Sequence, residues 1–139
     1  MKSFIATAIV ATSLVSCAAG GSSVMGGKLG GEWSVVSIDG KTINAATADT
    51  PPYMGFDVSA RNVYGNAGCN LLTGALDFNE SQGTINLNSI GCTRMMCADM
   101  TVEDALLGAL RHVRKYSVKG DTLSLSNSSG KAVVTLVRK

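Results

Sequence analysis

The stretch DMTVEDALLGALRHVRKY, residues 99–116, decides the fold, because its apolar residues follow a helical period. They recur at spacings of three and four, the signature of one helical face, at Val102, Leu106, Ala109, Leu110 and Val113. Acidic residues lie early and basic residues late, as the helix dipole favours. Thr101 followed by Asp104 fits a capping box. We therefore predict one α-helix over residues 99–116.

The sequence on both sides of this helix indicates short strands instead. We expect them at residues 32–38, 41–43, 53–58, 62–64, 71–78, 84–90, 116–118, 122–125 and 131–137. In the first, Trp33, Val35 and Ser37 share one side, with Val36 and Ile38 on the other. Asp39-Gly40 after it predicts a hairpin turn. The predicted fold class is α+β, with about eight short antiparallel strands in a strongly twisted, partly barrel-like sheet packed on the helix.

Length and charge limit the function. With 139 residues and a formal charge of +2, or +1 once Lys2 is removed with a leader, the chain has room for one core and has no strong basic excess. Nucleic acid is therefore not an expected partner. Aromatic residues make up only 5% of the chain, which argues against a sugar-binding platform.

The N-terminus predicts export and lipid attachment. Lys2 precedes an apolar run over residues 4–15, which has the length of a signal-peptide core and is too short to span a bilayer as a helix. The end of this run, Leu-Val-Ser before Cys17, resembles the bacterial lipobox. We expect a signal peptide over residues 1–16 and acylation of Cys17; the alternative is an ordinary secretory signal. Ala18, rather than Asp, favours the outer membrane in lipoproteins of this kind.

A Gly/Ser-rich segment follows the anchor. Residues 17–31 are too poor in apolar side chains to fold, so we expect a flexible tether. The domain then covers residues 32–139. The predicted location is the cell envelope, with the membrane contacted through the lipid and the domain favoured as a monomer.

Three further cysteines, Cys69, Cys92 and Cys97, leave several uses open. An oxidising compartment favours a disulfide, and three pairings are possible. Cys92, Cys97 and His112 are also potential metal ligands, but their spacing is not that of a zinc site and there is one histidine only. A nucleophilic pair of Cys92 or Cys97 with His112 lacks an orienting residue. We expect no cofactor, no metal and no catalytic residue.

Several motifs together resemble a known family. They are Glu32-Trp33, Ile38-Asp39-Gly40, Gly68-Cys69-Asn70 followed by Gly74, and Thr93-Arg94-Met95-Met96-Cys97 followed by Glu103. From Gly31 onward the chain is similar to the META domain (DUF306) family of HslJ-like bacterial lipoproteins.

The resemblance implies a non-catalytic envelope domain linked to heat and antibiotic stress. It also implies a disulfide between Cys69 and Cys97, which occupy positions of the family motif; Cys92 with Cys97 is the competing pair. Cys92 departs from the family pattern, and we expect it to be a free, buried thiol if the first pairing forms.

Three functions remain open. The first is a binding or structural module that contacts an envelope protein or wall component, which predicts an exposed apolar patch or edge strand. The second is a thiol-dependent redox or hydrolytic activity at Cys92 or Cys97 with His112. The third is protease inhibition by a loop over residues 46–53. The methionines Met54, Met95, Met96 and Met100 either line an adaptable groove or, as we favour, belong to the core.

Overall fold

The computed structural model describes residues 29–139. The predicted signal peptide, the acylation site Cys17 and residues 17–28 of the predicted tether lie outside the described residues.

Residues 29–139 form eleven strands, one α-helix and one 3-10 helix. The strands are β1 (Gly31–Ile38), β2 (Lys41–Thr42), β3 (Tyr53–Asp57), β4 (Asn62–Asn66), β5 (Leu71–Ala75), β6 (Asp77–Asn79), β7 (Thr84–Asn86), β8 (Gly91–Cys92), β9 (Lys115–Lys119), β10 (Thr122–Ser126) and β11 (Ala132–Arg138). The α-helix α1 is Thr101–Leu110, and the 3-10 helix is Ala45–Thr47.

All strands belong to one antiparallel sheet that curls on itself. Its order is β6-β7-β9-β10-β11-β1-β3-β4-β5-β8, with β2 paired to β1. Strand β5 lies near one end of this order and β6 at the other, yet only the buried Leu76 separates them in sequence. The two ends of the sheet must therefore lie side by side. This curled half-barrel with a single helix confirms the predicted fold class.

The helix is shorter than predicted. It begins at Thr101, with Met100 rather than Thr101 at the N-cap position and no side-chain cap bond, so the predicted capping box does not form. Instead Asp99 Oδ1 accepts a hydrogen bond from the Thr101 backbone N–H at 2.9 Å. After Leu110 the chain leaves the helix, because residues from Lys115 onward pair with β10. The helical period continues to Val113, which is buried beyond the helix, so the pattern overstated its length.

A bulge changes the predicted facing of β1. The pairing with β11 shifts between Val35 and Ser37, which turns Ile38 to the buried side with Trp33 and Val35. The prediction that Ser37 shares the side of Trp33 and Val35 while Ile38 lies on the other side was therefore wrong. The Asp39-Gly40 turn is confirmed, and both residues have positive φ, 50° and 79°, as a two-residue hairpin loop requires.

Two predicted strands are divided differently in the structure. The segment predicted as one strand over residues 71–78 is β5 and β6, separated at Leu76. The segment predicted over residues 84–90 is reduced to β7, and the short strand β8 follows at the edge beside β5.

The core lies between the inner face of the sheet and α1. Trp33 is fully buried and donates its indole N–H to the carbonyl of Leu29 at 2.9 Å. From the helix, Val102, Leu106, Ala109 and Leu110 face inward. The helix contacts β1 and β11, so its first turn is held in a fixed position relative to the loops at one end of the sheet.

Candidate functional site

Three separate segments meet at Asn70, which is 2% exposed. They are the loop between β4 and β5, the segment 93–97 that follows β8, and the first turn of α1. We call the segment Thr93–Cys97 the methionine loop. It contains the most specific part of the family motif, so its geometry bears directly on function.

The Asn70 side chain uses its full hydrogen-bonding capacity. Its Oδ1 accepts from the Thr93 hydroxyl at 2.9 Å and from the Met95 N–H at 2.6 Å. Its Nδ2 donates to the Met95 carbonyl at 3.0 Å and to Glu103 Oε2 at 2.6 Å. An amide offers two donors and two acceptor sites, and all four are occupied. Asn70 therefore fixes the backbone of the methionine loop at Met95 from both sides.

Glu103 joins this cluster from the helix. It is 3% exposed, and its Oε1 accepts the backbone N–H of Asn70 at 2.6 Å. A buried carboxylate needs compensation; here two short N–H donors and the positive end of the α1 dipole provide it, since Glu103 lies in the first turn. In a capping box, a glutamate at this position would bond to its own helix N-terminus; this one bonds to a residue 33 positions earlier in the chain.

The residue patterns did not predict this pair. The acidic residues at the helix start, Glu103 among them, were expected to interact with the helix dipole, and Asn70 was not expected to be a buried hydrogen-bonding centre. The usable signal was that both residues appear in the family motif, while nothing in the helical period requires a glutamate on the face shared by Val102 and Leu106.

Gly68 allows the loop before Asn70 to lie against the helix. Its φ is +122°, and a Cβ there would lie 3.4 Å from Ala48 Cβ and 3.7 Å from Glu103 N. The Gly68 N–H donates to Asn66 Oδ1 at 2.8 Å, and its carbonyl accepts from Thr50 N–H at 3.0 Å. Glycine is suited to this conformation, so the motif glycine places Asn70 next to the helix start.

A disulfide closes the same cluster. Cys69 and Cys97 are bonded, with Cα atoms 6.0 Å apart, which confirms the pairing that the family resemblance implies. The competing pair Cys92–Cys97 is therefore excluded, and so is Cys97 as a nucleophile or metal ligand. Cys92 is free but half-buried rather than fully buried. On the chain-entropy account, a bridge across this loop contributes about 3–4 kcal/mol.

The methionine loop exposes apolar side chains although its backbone is fixed. Met95 is 56% exposed, Met96 is 88% exposed, and Leu71 is 54% exposed. Leu71 is adjacent, because its N–H donates to the Thr93 hydroxyl and its carbonyl accepts the Thr93 N–H. The favoured core placement holds for Met54, which is fully buried, but it was wrong for Met95 and Met96; Met100 is half-buried.

The structure does not gather a catalytic set around Cys92. Cys92 lines a cleft together with Arg94 and Arg111, and the cleft lining does not include His112, which is exposed in the turn after α1. Within residues 29–139, no three His, Cys, Asp or Glu residues are grouped so as to hold a metal ion.

The loop over residues 46–53, considered above as a protease inhibitor, is hydrogen-bonded to the rest of the domain at two points. Pro52 is buried, and its carbonyl accepts the Val35 N–H at 3.0 Å. Thr50 is bonded to Gly68 in the motif loop. Segment 46–53 is therefore held against the sheet at its second half rather than extended from it.

Asp99 lies just before α1, two residues after the disulfide. Hydrogen bonds from the Thr101 side chain and backbone lower the pKa of its carboxyl below the ordinary value of 3.8. The ionised form is thus the one that fits this segment.

The META domain family model matches residues 27–139. A protein from Burkholderia xenovorans, solved by NMR, is 24% identical, with a TM-score of 0.62 and coverage of 78% of this chain and 81% of that one. A DUF4847 family protein from Bacteroides vulgatus, a crystal structure, is 16% identical, with a TM-score of 0.56 and coverage of 78% and 92%.

A second NMR structure is 20% identical, with a TM-score of 0.58 over 77% of this chain and 87% of that chain. Likenesses at these identities establish the fold. The search of curated proteins gives no match. No helix within residues 29–139 is long and apolar enough to cross a membrane.

Proposed function

The chain belongs to the META domain family, and on that premise we propose that it is an envelope lipoprotein whose domain is a non-catalytic binding module supporting heat or antibiotic tolerance. In this proposal residues 1–16 are removed, acyl groups on Cys17 anchor the protein in the outer membrane, and residues 17–28 tether the domain, since Leu29 is buried in the core and Gly31 begins β1. Two or three acyl chains on one cysteine attach a protein durably to a membrane, whereas a single chain gives only marginal attachment.

The observation that carries the binding role is the methionine loop. Exposing apolar side chains to water is unfavourable. A rigid loop that exposes several of them therefore marks a site of interaction with another molecule. The backbone of Met95 is fixed by two hydrogen bonds with Asn70, one accepted and one donated by Met95, and Cys97 is fixed by the disulfide. A surface already in its bound conformation loses less entropy on association.

The chemistry of the loop favours an apolar segment of another envelope protein as partner. Met side chains are flexible and polarisable, so they adapt to irregular apolar surfaces. A wall glycan presents hydroxyl groups, which would call for aromatic platforms and polar side chains. Leu71, Met95 and Met96 offer neither.

Two observations support a non-catalytic role. Cys97 is consumed by the disulfide, which leaves Cys92 as the one free thiol in the described part of the chain. His112 lies outside the cleft that Cys92 lines, so a general base is not provided for Cys92 there.

Photo-crosslinking in intact envelopes tests the proposal. A photoreactive residue at Met96 should capture one specific protein, and the same residue at Ser129, an exposed position in the turn between β10 and β11, should not. Met95→Lys in the same chain should abolish the adduct and the growth advantage under heat, while Lys119→Gln, at an exposed position of β9, should leave both intact. Equal crosslinking at Met96 and Ser129, or an adduct unaffected by Met95→Lys, would contradict the binding role.

A further inference from the structure

We propose that the cleft beside Cys92 is a binding site for a small amphiphilic anion, with an oxyanion head held by Arg94 and Arg111 and a short apolar body lying on Ile90 and Leu107. This site is separate from the apolar side chains of the methionine loop. It assigns a role to Arg94, the one charged residue of that loop.

The cleft combines apolar and polar lining residues in a small volume. Its volume is about 300 Å³, and its lining combines side chains from the 87–94 segment with side chains from the last turn of α1 and Arg111. Leu87 and Leu110 are buried in its floor, while Ile90, Cys92 and Leu107 are half-buried and reach its surface. The exposed lining is slightly more polar than apolar, so a ligand must match both kinds of surface, and this volume admits only a small molecule.

The charge of the cleft indicates the sign of the ligand. Arg94 and Arg111 both line it, and its lining contains no carboxylate. Across residues 29–139 the ion pair is Arg138 with Asp121, so neither cleft arginine has an acidic partner in that part of the chain. Both side chains are exposed at the rim, and guanidinium groups bind carboxylates and phosphates with matching planar geometry.

The cleft therefore selects a ligand with two parts. An inorganic anion would leave the surface of Ile90 and Leu107 uncovered, and a neutral apolar molecule would gain nothing from the two guanidinium charges. A carboxylate or phosphate monoester with a chain of a few carbons satisfies both. Asn88, also at the lining, adds an amide that can bond to the head.

Cys92 provides a reporter that does not depend on the binding partner of the methionine loop. The mature protein is kept in isolated envelopes, and its free thiol is labelled with a polyethylene glycol maleimide that shifts the band on a non-reducing gel. The Cys92→Ser variant identifies the band. Labelling is timed with hexyl phosphate, hexanoate, hexanol or inorganic phosphate present at equal concentration.

We expect hexyl phosphate or hexanoate to slow labelling by about threefold when its concentration is about twice its Kd. Hexanol and inorganic phosphate should leave the rate nearly unchanged. The stronger of the two anions distinguishes a phosphate source from a carboxylate source.

Arg94→Gln and Arg111→Gln should each remove most of this protection, and the charge-matched control Lys119→Gln should keep it. The rate with probe is compared with the rate without it for each variant, so a change in intrinsic thiol reactivity does not enter. Protection by hexanol equal to that by the anions, absence of protection, or protection that survives either arginine substitution would overturn the assignment. None of these results bears on whether Met96 captures a partner.

Discussion

The buried pair of Glu103 and Asn70 gives the sharpest prediction about stability. Glu103→Gln keeps the size of the side chain but replaces one acceptor oxygen with an NH2 group. Both Glu103 oxygens now accept short N–H bonds from Asn70, one from its backbone and one from its side chain. Whichever way the glutamine amide turns, one donor of Asn70 then faces another donor.

The size of the effect follows from these contacts. A hydrogen bond to a charged group contributes about 1.5–3 kcal/mol, and a buried donor left without a partner costs about 1–3 kcal/mol. Part of this loss of free energy is offset because the neutral glutamine amide costs less to bury than the glutamate carboxylate. We expect Glu103→Gln to lower the free energy of unfolding by about 2–4 kcal/mol, which lowers the urea midpoint by about 1–3 M.

Trp33, the single tryptophan of the chain, reports unfolding because it is fully buried. Urea denaturation followed by its fluorescence, with the disulfide intact, measures the loss. Asp104→Asn is the matched control, since Asp104 is an exposed carboxylate in the same helical turn. It should cost no more than about 0.5 kcal/mol, as expected for an exposed charge near a helix dipole.

A double substitution separates this pair from a general loss of charge. Asn70→Asp alone places a carboxylate against Glu103 and should be more damaging than Glu103→Gln. Combined with Glu103→Gln, the new amide can donate to the new carboxylate, so the double variant should be less damaged than the two single costs predict, by about 1–2 kcal/mol. Strictly additive costs, or a Glu103→Gln variant as stable as Asp104→Asn, would contradict a direct interaction between Asn70 and Glu103.

Three further predictions concern other parts of the domain. A Cβ on Gly55 would overlap the ring of Tyr64, which pairs with Gly55 across β3 and β4. Gly55→Ala should therefore lower the free energy of unfolding, measured by denaturation, by about 1–3 kcal/mol. A similar loss in a Tyr64→Ala background would contradict this cause. Cys69→Ala should cost about 3–4 kcal/mol on the chain-entropy account, whereas Cys92→Ala should preserve the bridge and most of the stability; equal losses would show that the bridge is not the cause. The pKa of Asp99 is lowered in the folded domain, so its contribution to stability is present above the unfolded pKa of 3.8 and is lost as the pH falls through the folded pKa. NMR titration of the Asp99 carboxyl should give a pKa below 3.8. A pKa at or above that value would contradict the hydrogen bonds from Thr101.

The sequence determined the fold class because helical and strand periods are local properties. The helix, the Asp39-Gly40 turn and most strand positions follow from residues close to one another in the chain. The same approach failed where tertiary contacts decide. Strand pairing of β9 shortened the helix, and the bulge in β1 exchanged the sides of Ser37 and Ile38.

The candidate site was only partly predictable for the same reason. The disulfide was implied by family positions, but the Asn70–Glu103 pair joins residues whose separation leaves no periodic signal. Met95 and Met96 looked like core residues because methionine is apolar; their exposure follows from hydrogen bonds to the backbone at Met95, which residue type alone does not encode.

The hydrogen bonds of Asn70 also bear on which sulfurs become oxidised. Cys92 and Cys97 are close in sequence and both compete for Cys69 in an unfolded chain, where the shorter loop to Cys92 has the smaller closure entropy. In the folded domain the hydrogen bond between Asn70 and Met95 holds Cys97 next to Cys69. Cys92 instead pairs with Leu72 in the edge strand. We therefore expect a chain that cannot make the hydrogen bonds of Asn70 to form more of the wrong disulfide isomer.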